Sequence, residues 1–348
     1  MKLERSEMKP ILFPRVSRLA LFALLAMSVA SGAAMAQDKG KSQDKPQQAS
    51  EAELKAIQKI QTAPDAATKA KAAAEYAKKF PKGVERAKVV GFLIDEINKA
   101  DEAQRITLLE GMVEMFKEPA DADIINPALI DAYIKANRHN DAFRVANALI
   151  SRKPNDLSAL TQMALVGVEQ AKQGNGAYLP QSQEMAKKAI EVIESGNRPA
   201  GFSDERWQEF QTVWLPRLYQ WMGLMAMMSQ NKGEAMTRLE KSASLNPKDP
   251  FTFVLIGSIY NEEYRQAAEK HRTQGQGPLR DSLLKEAYAK MDQVIEYYAR
   301  AVALAVGRPD YQKLHDDILQ DLKQYYSFRH GGKTDGLQQL IDKYKVQQ

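Results

Sequence analysis

The chain contains no cysteine, which excludes disulfides, thiolate metal sites, a cysteine nucleophile and a lipidated cysteine anchor. Histidine is scarce: His139, His271, His315 and His330 are the only four. No two of them stand at the short spacing of zinc ligands, and His139 and His330 fall in expected turns, so they read as surface residues. Gly-x-Ser-x-Gly, a phosphate loop and a dinucleotide fingerprint are all absent. Gly275 and Gly277 follow no strand pattern and read as loop residues. No cofactor or metal is expected. Strand-like alternation is nearly missing, and the 19 Gly and 15 Pro cluster between apolar periodic segments, which points to an all-α chain. Ordinary fractions of hydrophobic (44%) and charged (27%) residues exclude wholesale disorder and a multispanning membrane protein.

The one long apolar run, Leu19 to Ala30, is about 12 residues, short of the roughly 20 that a spanning helix needs. It follows Lys2, Arg5, Lys9, Arg15 and Arg18 and precedes Ala34-Met35-Ala36. Basic, apolar and small residues in that order form a secretory signal, with cleavage expected after Ala36 and a periplasmic or secreted product. Residues 1–36 hold five of the 49 Lys+Arg and two of the 44 Asp+Glu, so the net charge of +5 drops to +2 without them. No dense basic patch remains, and nucleic acid is not an expected partner. Residues 37–49 hold nothing worth burying and read as a polar linker.

From residue 50 onward, apolar residues recur at helical spacing. Ser50 and Glu53 have capping-box spacing, as do Asp101 and Gln104. Leu54, Ile57 and Ile60 mark a first helix; Ala67–Phe80, Val84–Ala100 and a segment from Asp101 to Phe116 mark three more. Residues 50–125 are thus expected to form helical hairpins.

Further on, Tyr219, Met222-Gly223, Ala226, Ala235, Leu239, Ser242 and Pro247 hold a particular spacing. This set resembles one tetratricopeptide repeat, a 34-residue helical hairpin, departing from it at Ala226 and Leu239, where the family has aromatics. Small residues at Gly223 and Ala235 allow close helix approach, Met222 and Leu239 are expected to fill the gap to the next hairpin, and Pro247 ends the unit. Phe253, Ile256-Gly257 and Tyr260 begin another unit in phase, whose second helix resumes with Tyr298, Ala301 and Leu304. Weaker matches are Leu129, Tyr133, Ala142 and Pro154, and Leu160, Met163-Ala164, Ala186 and Ala189. The resemblance covers residues 126–309, with insertions at 173–182 and 265–290; residues 310–348 are expected to cap the array.

The resemblance implies stacked antiparallel helical hairpins in an α-solenoid whose concave groove binds a protein or peptide segment. By register that surface includes Arg217, Gln220, Leu224, Met227, Val254, Ser258 and Asn261, with Thr161 and Leu165. The Lys and Asn that grip a terminal carboxylate in one subclass are absent, so an apolar or mixed groove is expected. Trp207 and Trp214, followed by Trp221 at the same seven-residue spacing, can either pack between hairpins or form an exposed aromatic surface. Pro216 is expected to kink or restart the helix between the last two, with Ser203 as N-cap. The methionines at 222, 225, 227, 228 and 236 suit either a core or an adaptable surface.

The leading expectation is a non-enzymatic scaffold or adaptor of the bacterial envelope. A structural component of an envelope assembly complex is the main alternative. Less favoured is a helical carbohydrate-processing enzyme using acidic pairs such as Asp95/Glu96, Glu262/Glu263 or Asp316/Asp317. Sequence-adjacent carboxylates point in different directions on a helix, which disfavours it.

Overall fold

A computed structural model describes residues 48–345. The expected signal segment and residues 37–47 of the linker lie outside them. Among the described residues all regular structure is helical. The first helices are α1 (Glu51–Gln61), α2 (Ala66–Lys79), α3 (Arg86–Ile97), α4 (Glu102–Met115), α5 (Pro119–Lys135), α6 (His139–Arg152), α7 (Leu157–Lys172) and α8 (Leu179–Glu194). They are followed by α9 (Asp204–Glu209), α10 (Leu215–Met228), α11 (Lys232–Leu245), α12 (Pro250–Thr273), α13 (Pro278–Ala305), α14 (Gln312–Arg329) and α15 (Leu337–Asp342). They fall into two compact units, one of residues 48–167 and 180–202, the other of 168–179 and 203–345.

In the first unit the starts of the helices follow local chemistry. Asp65 accepts from the Thr68 N–H at 2.7 Å and Asp101 from the Gln104 N–H at 2.9 Å. Ser50 Oγ accepts from the Glu53 N–H at 3.1 Å, one half of the expected capping box. The other half is not made. The Glu53 carboxylate turns inward, accepts from Tyr76 Oη at 2.8 Å and from the Val84 and Glu85 N–H groups at 3.3 and 3.1 Å, and is 3% exposed. Those donors tie it to the turn before α3, which is why α3 starts at Arg86 and Val84 stays outside it, exposed. Any side chain at Gly83 would collide with Glu53 Oε1.

Arg86 and Asp121 form the charged centre of this unit. Arg86 Nε and Nη2 meet the Asp121 carboxylate at 2.7 to 3.0 Å, and Nη1 donates to the carbonyls of Ala77 and Phe80 at 3.0 and 2.9 Å. Both side chains are buried, so one ion pair fastens the end of α2, the start of α3 and the start of α5. Further along, Ser182 Oγ donates to the Met163 carbonyl at 2.7 Å, pinning α8 to α7 beside the buried Ala164, Ala186 and Ala189.

In the second unit α10 and α11 form one hairpin, α12 and α13 the next, and α14 and α15 pack on α13. A Cβ on Gly223 would lie 2.6 Å from Leu239 Cγ, and one on Gly257 would lie 2.5 Å from Tyr298 Cε1. The two hairpins therefore close in the same way, with a large side chain of the second helix seated on a bare glycine of the first. Leu239 thus fills its own hairpin, where the spacing suggested the gap to the next. The stretch 265–290 is almost entirely helix, broken only at Gln274–Gly277. It lengthens α12 and α13 to 24 and 28 residues, against 14 each for α10 and α11. That adds roughly three to four turns per helix.

Candidate functional site

Ser203 Oγ accepts from the Arg206 N–H at 3.2 Å and starts α9 as expected. The chain then stays helical to Met228, passing through a π-helical turn at Phe210–Trp214. Proline clashes with the carbonyl four residues earlier and donates no N–H. The wider turn just before Pro216 absorbs that conflict, and the helix continues through the expected break. The extra width also shifts Trp207 out of the simple seven-residue register. Trp214 stacks on Phe210 at 5.9 Å, meets the edge of buried Trp221 at 6.3 Å and donates from Nε1 to Glu209 at 3.1 Å. Trp214 and Trp207 are half-buried.

Beyond the π turn, α10 presents Arg217, Gln220, Leu224 and Met227. Arg217 lies over the Trp214 ring at 5.7 Å. Gln220 is half-buried and donates through Nε2 to Asp249 and, at 2.7 Å, to Thr252 Oγ1. Asp249 caps α12 by accepting from the Phe251 and Thr252 N–H groups and accepts from Tyr311 Oη at 3.1 Å. Burial and the neighbouring Asp249 carboxylate push the Tyr311 phenol up to about 12. Gln220 is therefore a strut between the start of α10 and the start of α12. Leu224 is buried, and Met227 is half-buried.

On α12, Val254 is buried and Ser258 and Asn261 are half-buried. Ser258 Oγ returns a hydrogen bond to the Val254 carbonyl at 2.8 Å. Asn261 Oδ1 accepts from Tyr325 Oη of α14 at 2.7 Å. The nine surface residues expected from the sequence thus all lie in one compact unit. Leu224 and Val254 serve its packing, while the others keep part of their surface outside. Thr161, in the other unit, is buried with its hydroxyl donating to the Leu157 carbonyl at 2.7 Å, and Leu165 is half-buried.

The expected surface placement holds for His330, which is exposed, whereas His139 is half-buried and His271 is buried. His139 begins α6 and is half-buried, with burial holding its pKa below the ordinary value. His271 is buried near the end of α12, because the lengthened hairpin covers it. His330 follows α14 exposed, stacked on Tyr326 at 4.0 Å. Among the described residues no group of three or more His, Asp or Glu side chains can hold a metal ion, and no helix is long and apolar enough to cross a membrane. In the first unit a depression of about 700 Å³ lies between α6 and α8, lined by Asn147, Ile150, Ser151, Met185, Lys188 and Glu191 among others. No sequence pattern marks it, since its walls come from helices some 40 residues apart and carry no motif.

No family model matches the chain, and no curated protein matches it. Among solved structures it is similar to a tetratricopeptide repeat protein from Parabacteroides merdae ATCC 43184. The two are 12% identical, the match covers 78% of this chain and all of that one, and the TM-score is 0.38. So distant a likeness decides neither partner nor activity.

Proposed function

We propose that the chain is an exported, non-enzymatic scaffold of the bacterial envelope that binds a protein or peptide segment along α10 and α12. One observation carries this reading: the two glycine closures, Gly223 under Leu239 and Gly257 under Tyr298, stand in the same register 34 residues apart. Hairpins that close identically repeat their outward positions too. Arg217, Gln220, Leu224 and Met227 thereby recur as Phe251, Val254, Ser258 and Asn261, two matched rows of mixed polar and apolar character. Half-buried side chains in such rows suit an extended or helical segment, which gains apolar contacts at Met227 and Phe251 and hydrogen bonds at Ser258 and Asn261.

Export rests on the order of basic, apolar and small residues before Gln37. Sequencing the N-terminus of the protein recovered from the envelope fraction checks it, with Gln37 as the expected first residue.

The binding reading is tested by purifying the tagged full chain from its native cells beside a Met227→Glu/Ser258→Arg variant. A partner retained by the first and lost by the second, at unchanged helical content, supports it. Identical co-purifying proteins for both would refute it.

A further inference from the structure

Asp321 lies on α14 in an unusual setting. It is half-buried, and among the described residues it has no hydrogen bond or ion pair. Asp317, one turn earlier on the same face, is paired with Lys313 at 2.9 Å. Lys290 of α13 is held by Glu263 of α12 at 2.6 Å. Burial first, and then the Asp317 charge, raise the Asp321 pKa. A partly desolvated carboxylate without a counter-ion costs stability, and among the described residues no cation is paired with it.

A second observation comes from the neighbouring helix. Tyr298 of α13 is 0% exposed, and its Oη makes no well-formed hydrogen bond. The polar side chains acting on that oxygen are Ser258 and Asn261 of α12 and Asp321 itself. Buried hydroxyls left unpaired are rare in folded proteins. Tyr325, one turn beyond Asp321, reaches across to Asn261 Oδ1 at 2.7 Å and packs edge-on to Tyr264 and Tyr298 at 6.0 and 6.3 Å. With Oδ1 so engaged, the amide nitrogen of Asn261 is left as a donor for a backbone carbonyl. Three polar groups from three helices are thereby arranged without a full set of partners from the chain itself.

We infer that Asp321, whose charge acts on the same Tyr298 hydroxyl as Ser258 and Asn261, receives the ammonium or guanidinium group of a lysine or arginine on the bound polypeptide. The inference rests on the peptide-binding reading above and specifies what the segment carries. A basic side chain supplies the missing counter-ion, and its own backbone carbonyl falls within the donor set of Asn261. A free polyamine offers the same ammonium chemistry but no backbone carbonyl.

The test is selection from a random peptide library on the immobilised full chain, run in parallel on Asp321→Asn and Asp321→Glu. The expected result is one fixed Lys or Arg among other fixed residues on the wild type and on Asp321→Glu. On Asp321→Asn the basic preference disappears while the other fixed residues stay. For a selected peptide, Lys→Gln weakens binding to the wild type about tenfold or more. On Asp321→Asn the same change has no effect. Spermidine added to the binding assay competes only weakly. Circular dichroism of Asp321→Asn confirms that it folds. Should that variant not fold, Asp321→Ser, which also removes the carboxylate, is read in its place, with the same loss of the Lys→Gln effect expected. Peptides enriched without a basic residue, an unchanged preference on Asp321→Asn, or strong binding by spermidine alone would overturn this site and leave the groove standing. No enrichment on the wild type would overturn the groove reading and the site together.

Discussion

Leu239 sits on Gly223 so closely that a methyl group there would lie 2.6 Å from Leu239 Cγ and 3.3 Å from the Ala235 carbonyl. The relation predicts that Gly223→Ala destabilises the protein by about 1–3 kcal/mol through overpacking. Helix propensity returns up to about 1 kcal/mol of this. Gly257→Ala, facing Tyr298, follows the same rule. Gly91 and Gly111 are also inside helices but have open space around the Cβ direction, so alanine there stabilises by about 0.5–1 kcal/mol. Urea denaturation of the four variants checks the opposite signs. In the double variant Gly223→Ala/Leu239→Ala the loss is smaller than the two single losses together.

Arg86 and Asp121 predict a steep cost for losing one partner. Arg86→Met leaves the Asp121 carboxylate buried without a cation and frees the Ala77 and Phe80 carbonyls. A loss of about 3–5 kcal/mol is expected. Chemical denaturation reads it, and hydrogen exchange is expected to quicken first around the start of α3 and α5.

His271 predicts a pH-dependent weakening of the long hairpin. Burial first, and then the Arg280 guanidinium, lower its pKa from 6.5, with Asp281 opposing. The unfolded chain therefore binds the proton at a higher pH than the folded chain does. Stability is full above about 6.5, falls as pH drops through that value, and levels off below the folded pKa. Hydrogen exchange in residues 265–290, corrected for intrinsic rates, is expected to quicken at about pH 5.5 relative to about pH 7.5. His271→Gln removes most of the difference.

Asp321 predicts a gain in stability on neutralisation. Its pKa is raised in the fold, so the folded chain holds its proton more tightly, and stability declines as pH rises through the folded pKa. At neutral pH Asp321→Asn is expected to melt at the same or a higher temperature than the wild type. A clear fall in melting temperature would show that the carboxylate has a structural partner.

Local signals were legible in the sequence because their causes are local. The caps at Ser50, Asp101 and Ser203 each need only a side chain and an N–H three residues on. The hairpin from Tyr219 to Pro247 was legible for the same reason: its spacing follows directly from helix geometry. The inward turn of the Glu53 carboxylate is not legible locally, because its partners, Tyr76, Val84 and Glu85, stand 23 to 32 residues away. The helix through Pro216 escaped notice because a π turn leaves no pattern in the residues it contains. Residues 265–290 read as an insertion whose helical form is not specified, because the Gly and Gln at 274–277 interrupt the helical spacing of Tyr264, Ala267 and His271. Of the candidate surface, the positions on α10 and α12 could be named from register alone. Asp321 could not, because its setting depends on Tyr298 of a different helix.

Whether the matched rows on α10 and α12 hold a partner segment is decided by site-specific photocrosslinking in native cells. A photoreactive residue is placed singly at Arg217, Met227, Ser258 and Asn261, and for comparison at Thr237 and Gln293, which are exposed on α11 and α13. Adducts to one and the same protein are expected from the four row positions and none from the other two. Adducts at Thr237 and Gln293 with none along the rows would contradict such binding.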